Sequence, residues 1–182
     1  WLFNDPNNPG ASATGQNPTY TFTDTGTYTI QLILNPGYPC TDTAEVTYEL
    51  YNPVNPAYSY SGPVCFDENL ITFQNQSSNG GNAVANWDFG ADASIQTFTG
   101  WNPPPIVFST WGDHYVSLTI EENGCEDNFL DTVRIYRRPE TNVSVENQVG
   151  CAPFTVEFWD STITDGQVIY NWDFGDGVLS ND

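Results

Sequence analysis

The chain has 182 residues, with 23 acidic side chains against three basic ones and a formal net charge of -20. Such a balance repels polyphosphate and excludes nucleic acid as a partner; no apolar run approaches the ~18 residues of a membrane span, which excludes membrane insertion. Charge of this size favours disorder, but six Trp, ten Tyr and eleven Phe supply the large apolar side chains of a folded core.

From the N-terminus, no basic segment followed by an apolar one opens the chain. It starts on Trp1 and contains no Met, which predicts a part of something longer. The first landmark is Trp1-Leu2-Phe3-Asn4-Asp5, and the first strand signal is Tyr28-Thr29-Ile30-Gln31-Leu32, where apolar and polar residues alternate with the period of a half-buried strand. A Pro-rich junction, Tyr51-Asn52-Pro53-Val54-Asn55-Pro56, follows. The opening motif then returns as Trp87-Asp88-Phe89-Gly90-Ala91. Tyr115-Val116-Ser117-Leu118-Thr119-Ile120 repeats the alternation, and Tyr136-Arg137-Arg138-Pro139 forms a second junction. Beyond it come Phe154-Thr155-Val156-Glu157-Phe158 and the motif Trp172-Asp173-Phe174-Gly175-Asp176.

These landmarks keep one period. The Trp motif steps by 86 and 85, Tyr28 to Tyr115 is 87, Cys40 to Cys125 is 85, and Cys65 to Cys151 is 86. A fixed step of this size fixes architecture before any propensity is consulted. It predicts the C-terminal part of a repeat over 1–52, a complete repeat over 53–137 and the N-terminal part of a third over 138–182. Thr and aromatic enrichment, turn residues between the runs and no helical periodicity predict an all-β fold of tandem Ig-like β-sandwiches, about seven strands each.

Within the motif, Trp and Phe two apart on a strand share a face, so Trp87 with Phe89 and Trp172 with Phe174 are core candidates. Asp173 faces outward, and Gly175 with Asp176 reads as a turn. Asn171-Trp172-Asp173-Phe174-Gly175-Asp176-Gly177, with downstream strands opening Gly26-Thr27-Tyr28 and Gly112-Asp113-His114-Tyr115, resembles the PKD domain, the polycystin-type Ig-like repeat. Leu2 and Asn4 in the first copy and Ala91 in the second depart from its pattern. Asp173 and Asp176 are the carboxylates that calcium would take there, without EF-type spacing, and no other cofactor is expected.

Cysteines set as Gly150-Cys151-Ala152-Pro153-Phe154 and Gly124-Cys125-Glu126-Asp127 in such repeats resemble the SprB-type gliding-motility adhesins exported by the type IX system. That resemblance implies an extracellular, cell-surface filament that transmits force and grips surface polysaccharide or a solid substrate. Its partners would be neighbouring repeats of the same chain and other copies in a fibre. Asp42-Thr43-Ala44, Asp131-Thr132-Val133 and Asp160-Ser161-Thr162 resemble O-glycan acceptors of that bacterial phylum, making Thr43, Thr132 and Ser161 glycosylation candidates; solvent-facing loop residues are the alternative. The sequons at Asn75 and Asn142 fit a eukaryotic secretory route.

Four cysteines without zinc spacing favour disulfides in an extracellular setting. Consecutive sandwich strands alternate in direction, so Cys65 and Cys125 are expected at opposite ends, roughly 20 Å apart and beyond the ~7 Å Cα limit of a bridge. End-to-end stacking then predicts bridges across repeat junctions, with the partners of Cys40, Cys65, Cys125 and Cys151 outside this window. A Cys65–Cys125 bridge in a skewed sandwich is the runner-up.

Catalysis is not expected. His114 is the only base of its kind, with no nucleophile motif, and Glu121 and Glu122 read as a solvated rim. Trp101-Asn102-Pro103-Pro104-Pro105 reads as a stiff edge loop rather than a polyproline ligand, with Trp101 packing on the core or stacking on a sugar. The function expected is a structural stalk or fibre segment of a secreted adhesin. The alternatives are a glycan- or protein-binding PKD module and an accessory domain of a secreted hydrolase.

Overall fold

The computed structural model describes all residues except 63, 79, 80, 147, 167, 176, 178, 181 and 182. Among the described residues there is no α-helix, and no helix long and apolar enough to cross a membrane. The all-β class read from alternation is the class observed.

Residues 1–52 contain one long hairpin, β1 (Gly26–Leu34) with β2 (Asp42–Leu50). The segment 53–137 contributes β3 (Tyr58–Tyr60), β4 (Val64–Cys65), β5 (Leu70–Ile71), β6 (Phe73–Asn75), β7 (Val84–Asp88) and β8 (Thr97–Thr99). It continues with β9 (Ile106–Val107), β10 (Gly112–Glu122) and β11 (Cys125–Tyr136). Residues 138–182 carry β12 (Val143–Val145), β13 (Phe158–Asp160), β14 (Trp172–Asp173) and β15 (Leu179–Ser180). About seven strands were expected where nine segments stand. The difference arises because two runs change partner midway: β3 pairs with β6 while β4 pairs with β11, and β5 pairs with β9 across the single residue that separates it from β6. A strand that bends from one sheet to another is how sandwich corners are made.

The core lies between the five-stranded sheet β4-β11-β10-β7-β8 and a second layer of the β3–β6 and β5–β9 pairs. Alternation selects its members. In β7, Ala85 and Trp87 point in while Val84, Asn86 and Asp88 point out; in β10, Val116, Leu118 and Ile120 point in. Phe73 from the second layer meets Trp87 at 5.9 Å and Phe89 at 5.1 Å between ring centroids, and Tyr58 meets Trp87 at 5.3 Å. Burying aromatic rings of this size dominates the energetics of a small core.

The same contacts return along the chain. β3 pairs with β6 in the register Tyr58↔Asn75, and β12 pairs with β13 in the register Val143↔Asp160, a step of 85 at every partner. The isolated bridge Asn55↔Ser78 returns as Glu140↔Ile163. Leu2 faces Gln31 as Asp88 faces Ser117, and Trp172 stacks on Phe174 at 6.1 Å as Trp87 does on Phe89 at 5.7 Å.

Replacing Trp87 by Ala removes the ring on which both layers close. It is expected to cost about 3–5 kcal/mol, read from the urea midpoint of the 53–137 unit. An unchanged midpoint would show that the layers close without it.

Candidate functional site

The Trp-x-Phe turn is closed in the same way in the second and third copies. After Trp87 the Asp88 carboxylate accepts the Gly90 N–H at 2.9 Å, and after Trp172 the Asp173 carboxylate accepts the Gly175 N–H at 2.8 Å. Gly90 has φ 81° and Gly175 φ 80°, left-handed values that favour glycine. In the first copy Asn4 takes that place at φ 48°, as Asn tolerates, and donates from its amide to the Thr29 carbonyl at 2.7 Å. The Trp87 indole donates to the Gly100 carbonyl at 3.1 Å and the Trp1 indole to that of Gly15 at 2.9 Å. Asp173 is thus engaged with its own turn, and Asp176 lies outside the described residues. Among the described residues no three His, Cys, Asp or Glu side chains converge as metal ligands.

A second recurring device pins the start of the long hairpin. Tyr28 packs at a tilt against Phe22, ring centroids 4.2 Å apart, and donates its hydroxyl to the Asp24 carbonyl, four residues back, at 2.8 Å. The equivalent residue is His114, which stacks on Phe108 at 4.2 Å and places Nε2 3.0 Å from the Thr110 carbonyl, again four residues back. A carbonyl only accepts, so Nε2 carries the proton. The sequence landmark Tyr28 to Tyr115 is corrected here: Tyr115 faces solvent, His114 is buried, and the true step is 86. Alternation decides this, because a one-residue slip turns every side chain to the other face. The arrangement matches the tyrosine corner of Ig-type sandwiches, with imidazole in place of phenol.

The two hairpin carboxylates differ. Glu121 is exposed, whereas Glu122 is buried and accepts the Asn82 N–H at 3.0 Å, so the solvated rim expected for both holds for Glu121 alone. Tyr58, buried, donates to the Val116 carbonyl at 2.8 Å, and burial first, then the Asp131 charge, pushes its phenol well above the usual range. Trp101 is half-buried and packs against the core. Pro103 is buried beside it, and the loop runs into β9.

All four cysteines are free thiols; Cys40, Cys65 and Cys151 are exposed and Cys125 is half-buried. Cys125 opens the 12-residue strand β11, opposite Glu122, and Cys65 pairs with Tyr136 at its far end. At ~3.3 Å per residue that is about 36 Å, so the runner-up Cys65–Cys125 bridge does not fit this sandwich. Cys125 sits at the end where the chain arrives, since Pro53 and Val54 share a cleft with Glu122 and Asn123. Cys65 sits at the end where it leaves.

The outgoing junction gathers every cationic side chain of the protein. Arg134 bridges Asp113 at 2.9 Å and Asp165 at 3.2 Å, Arg137 bridges Glu140 at 2.7 Å, and Arg138 bridges Asp67 at 2.9 Å. Arg137 also lies over the Trp111 ring at 5.8 Å. These pairs are partly solvated, so each contributes modestly, but together they tie 53–137 to the segment after it. Sequence reasoning read this stretch only as a boundary; three arginines within five residues of an otherwise acidic chain were the available signal.

Thr43 lies in β2, exposed, and Ser161 follows β13, exposed, while Thr132 is half-buried in β11. Of the sequons, Asn142 is exposed, whereas the Asn75 amide nitrogen is buried.

Two outcomes are expected. His114→Ala should lose about 2–3 kcal/mol, from a buried ring and a paired carbonyl, while His114→Tyr should restore most of it in chemical denaturation. Non-reducing peptide mapping should find no Cys65–Cys125 link; its appearance would mean a different sandwich. Comparison with protein-family models and with curated proteins finds no match to this chain.

Proposed function

We propose that the chain is a non-catalytic, force-bearing segment of an extracellular cell-surface fibre, built from PKD-like sandwiches in series. One observation carries this reading. Strand β4, near the start of 53–137, and the last strand, β11, run parallel and are paired, Val64 with Ile135 and Cys65 with Tyr136, and Tyr60 donates its hydroxyl to the Thr132 carbonyl at 3.2 Å beside them. The chain arrives at one end of the sandwich and leaves at the other. Tension along the chain therefore loads these bonds together in shear, across their direction, instead of opening them one after another.

Further features support the same reading. The sequence resembles PKD repeats and SprB-type gliding adhesins in its Trp turn and cysteine settings. Cysteines at the arriving and leaving ends of a unit are placed to staple neighbouring units, closing long loops. Exposed Thr43 and Ser161 meet the access that an O-glycan needs. The charge of -20 opposes lateral clumping.

Single-molecule pulling tests this. Held between residues 53 and 138, the unit is expected to resist several-fold more force than when held between 67 and 138, which lie side by side at the leaving end so that the same strands peel apart. Unfolding should release roughly 250–300 Å of chain. Equal forces in both geometries would remove the mechanical reading.

A further inference from the structure

The chain leaves β11 at Tyr136, and three residues, Arg137, Arg138 and Pro139, carry it to Glu140. There the next segment begins its pairing: Glu140 and Ile163 exchange backbone hydrogen bonds at 3.0 and 3.1 Å. Ile163 lies two residues before Asp165, so this bridge brings Asp165 back to the end of 53–137 that the chain has just left. One oxygen of its carboxylate, Oδ2, accepts from Arg134 Nη2 at 3.2 Å and from the Arg137 backbone N–H at 3.4 Å. The Asp165 side chain is 19 % exposed, and its Oδ1 is buried without a hydrogen-bond partner. Among the described residues, both hydrogen bonds of this half-buried charge therefore reach into 53–137.

The receiving side is fixed within 53–137 itself. Arg134 stands opposite Asp113 in the β10–β11 register, gives Nη1 to that carboxylate at 2.9 Å and keeps Nη2 for Asp165, with its guanidinium 5.9 Å from the centroid of the Tyr136 ring. A planar fork with fixed donors holds two carboxylates at once only where both are correctly placed. Arg137 adds a second tie, lying over the Trp111 ring at 5.8 Å and bonded to Glu140 at 2.7 Å. The contacts close a ring across the joint: Arg137 to Glu140, Glu140 to Ile163, and Asp165 back to Arg137. A joint tied on one side hinges, whereas a closed ring bends only by breaking one of its bonds. One repeat earlier the backbone bridge persists as Asn55↔Ser78, but Glu49, Asn52 and Pro53 occupy the places of Arg134, Arg137 and Arg138. Glu49 accepts the Tyr51 hydroxyl instead. The bridge is thus common to both joints, and the arginine fork belongs to the later one.

We infer that Asp165 is a latch: it locks 53–137 and the β12–β13 pair into one rigid body, and loss of its ion pair with Arg134 frees the two to swing. Serial units move against each other by default, because the interfaces between them are small and polar. Depth overcomes that default here. Removing either partner leaves the other half-buried and unpaired, a costlier event than breaking an exposed pair. Arg138 with Asp67 is such an exposed pair, at 72 % and 48 %. It spans the same joint without entering the ring, so its loss should leave the angle fixed. The joint after 53–137 is thereby a set angle in the chain, held by one carboxylate.

The latch goes beyond the mechanical reading, and the two fail separately: force borne between residues 53 and 138 does not pass through Asp165, and the latch does not depend on how β4 and β11 come apart. The test is measurement of backbone residual dipolar couplings on the full 182-residue chain, weakly aligned in a neutral medium. In the unaltered chain one alignment tensor is expected to fit β7, β10 and β11 together with β12 and β13. Asp165→Ala and, from the other side, Arg134→Gln should each require a second, weaker tensor for β12 and β13. Arg138→Gln should still require only one. Amide chemical shifts report whether β12 and β13 stay paired in each variant. Separate tensors in the unaltered chain, or a single tensor in either latch variant that keeps the β12–β13 pairing, would overturn the proposal. So would an equal loosening by Arg138→Gln, or loss of the β12–β13 pairing in both latch variants, which would make Asp165 a support of that fold rather than of its orientation.

Discussion

The contact of Phe73 with Trp87 and Phe89 is the constraint on which the fold turns, because it is where the two layers meet. One layer supplies a single ring from a three-residue strand; the other supplies two rings, stacked at 5.7 Å, from a strand and the turn that ends it. The turn must therefore be fixed as well as the strand. Asp88 binding the Gly90 N–H fixes it, and the positive φ at Gly90 lets Phe89 come back over the core. In 1–52 and 138–182, by contrast, large apolar side chains such as Tyr48 and Phe158 face water.

Polar pins complete what the rings begin. Tyr28 and His114 tie the start of the long hairpin to a carbonyl four residues back, and buried Asn69 holds the Phe108 backbone with both its amide groups, at 2.9 and 3.0 Å. Asn69 thereby satisfies backbone groups of Phe108 that burial would otherwise leave without water. The sole histidine of the protein, which a search for chemistry would seize on, is thereby a structural residue.

Charge is distributed unevenly, and the unevenness has a location. The three arginines all lie where 53–137 gives way to the next segment, and they draw Asp113, Asp165, Glu140 and Asp67 into one cluster. Everywhere else the surface is acidic without compensation. Repulsion along the flanks with attraction at a junction favours extension over collapse.

The sequence by itself determined the class of the fold and the step of its repeating features, because the periods of two and of about 86 are properties of residue order. It also named the turn, since Trp, Phe and Gly at that spacing have few places to go. What only tertiary structure decided were matters of register and neighbourhood. The equivalence of His114 rather than Tyr115 to Tyr28, the burial of Glu122 beside exposed Glu121, and the burial of the Asn75 amide each depend on which face a residue takes, which shifts with a single slip. The roughly 36 Å between Cys65 and Cys125, and the meeting of Arg134 with Asp165 across a junction, depend on which strands pair at a distance in the chain. Local order carries no record of such pairings, because they are selected by the packing of the whole core.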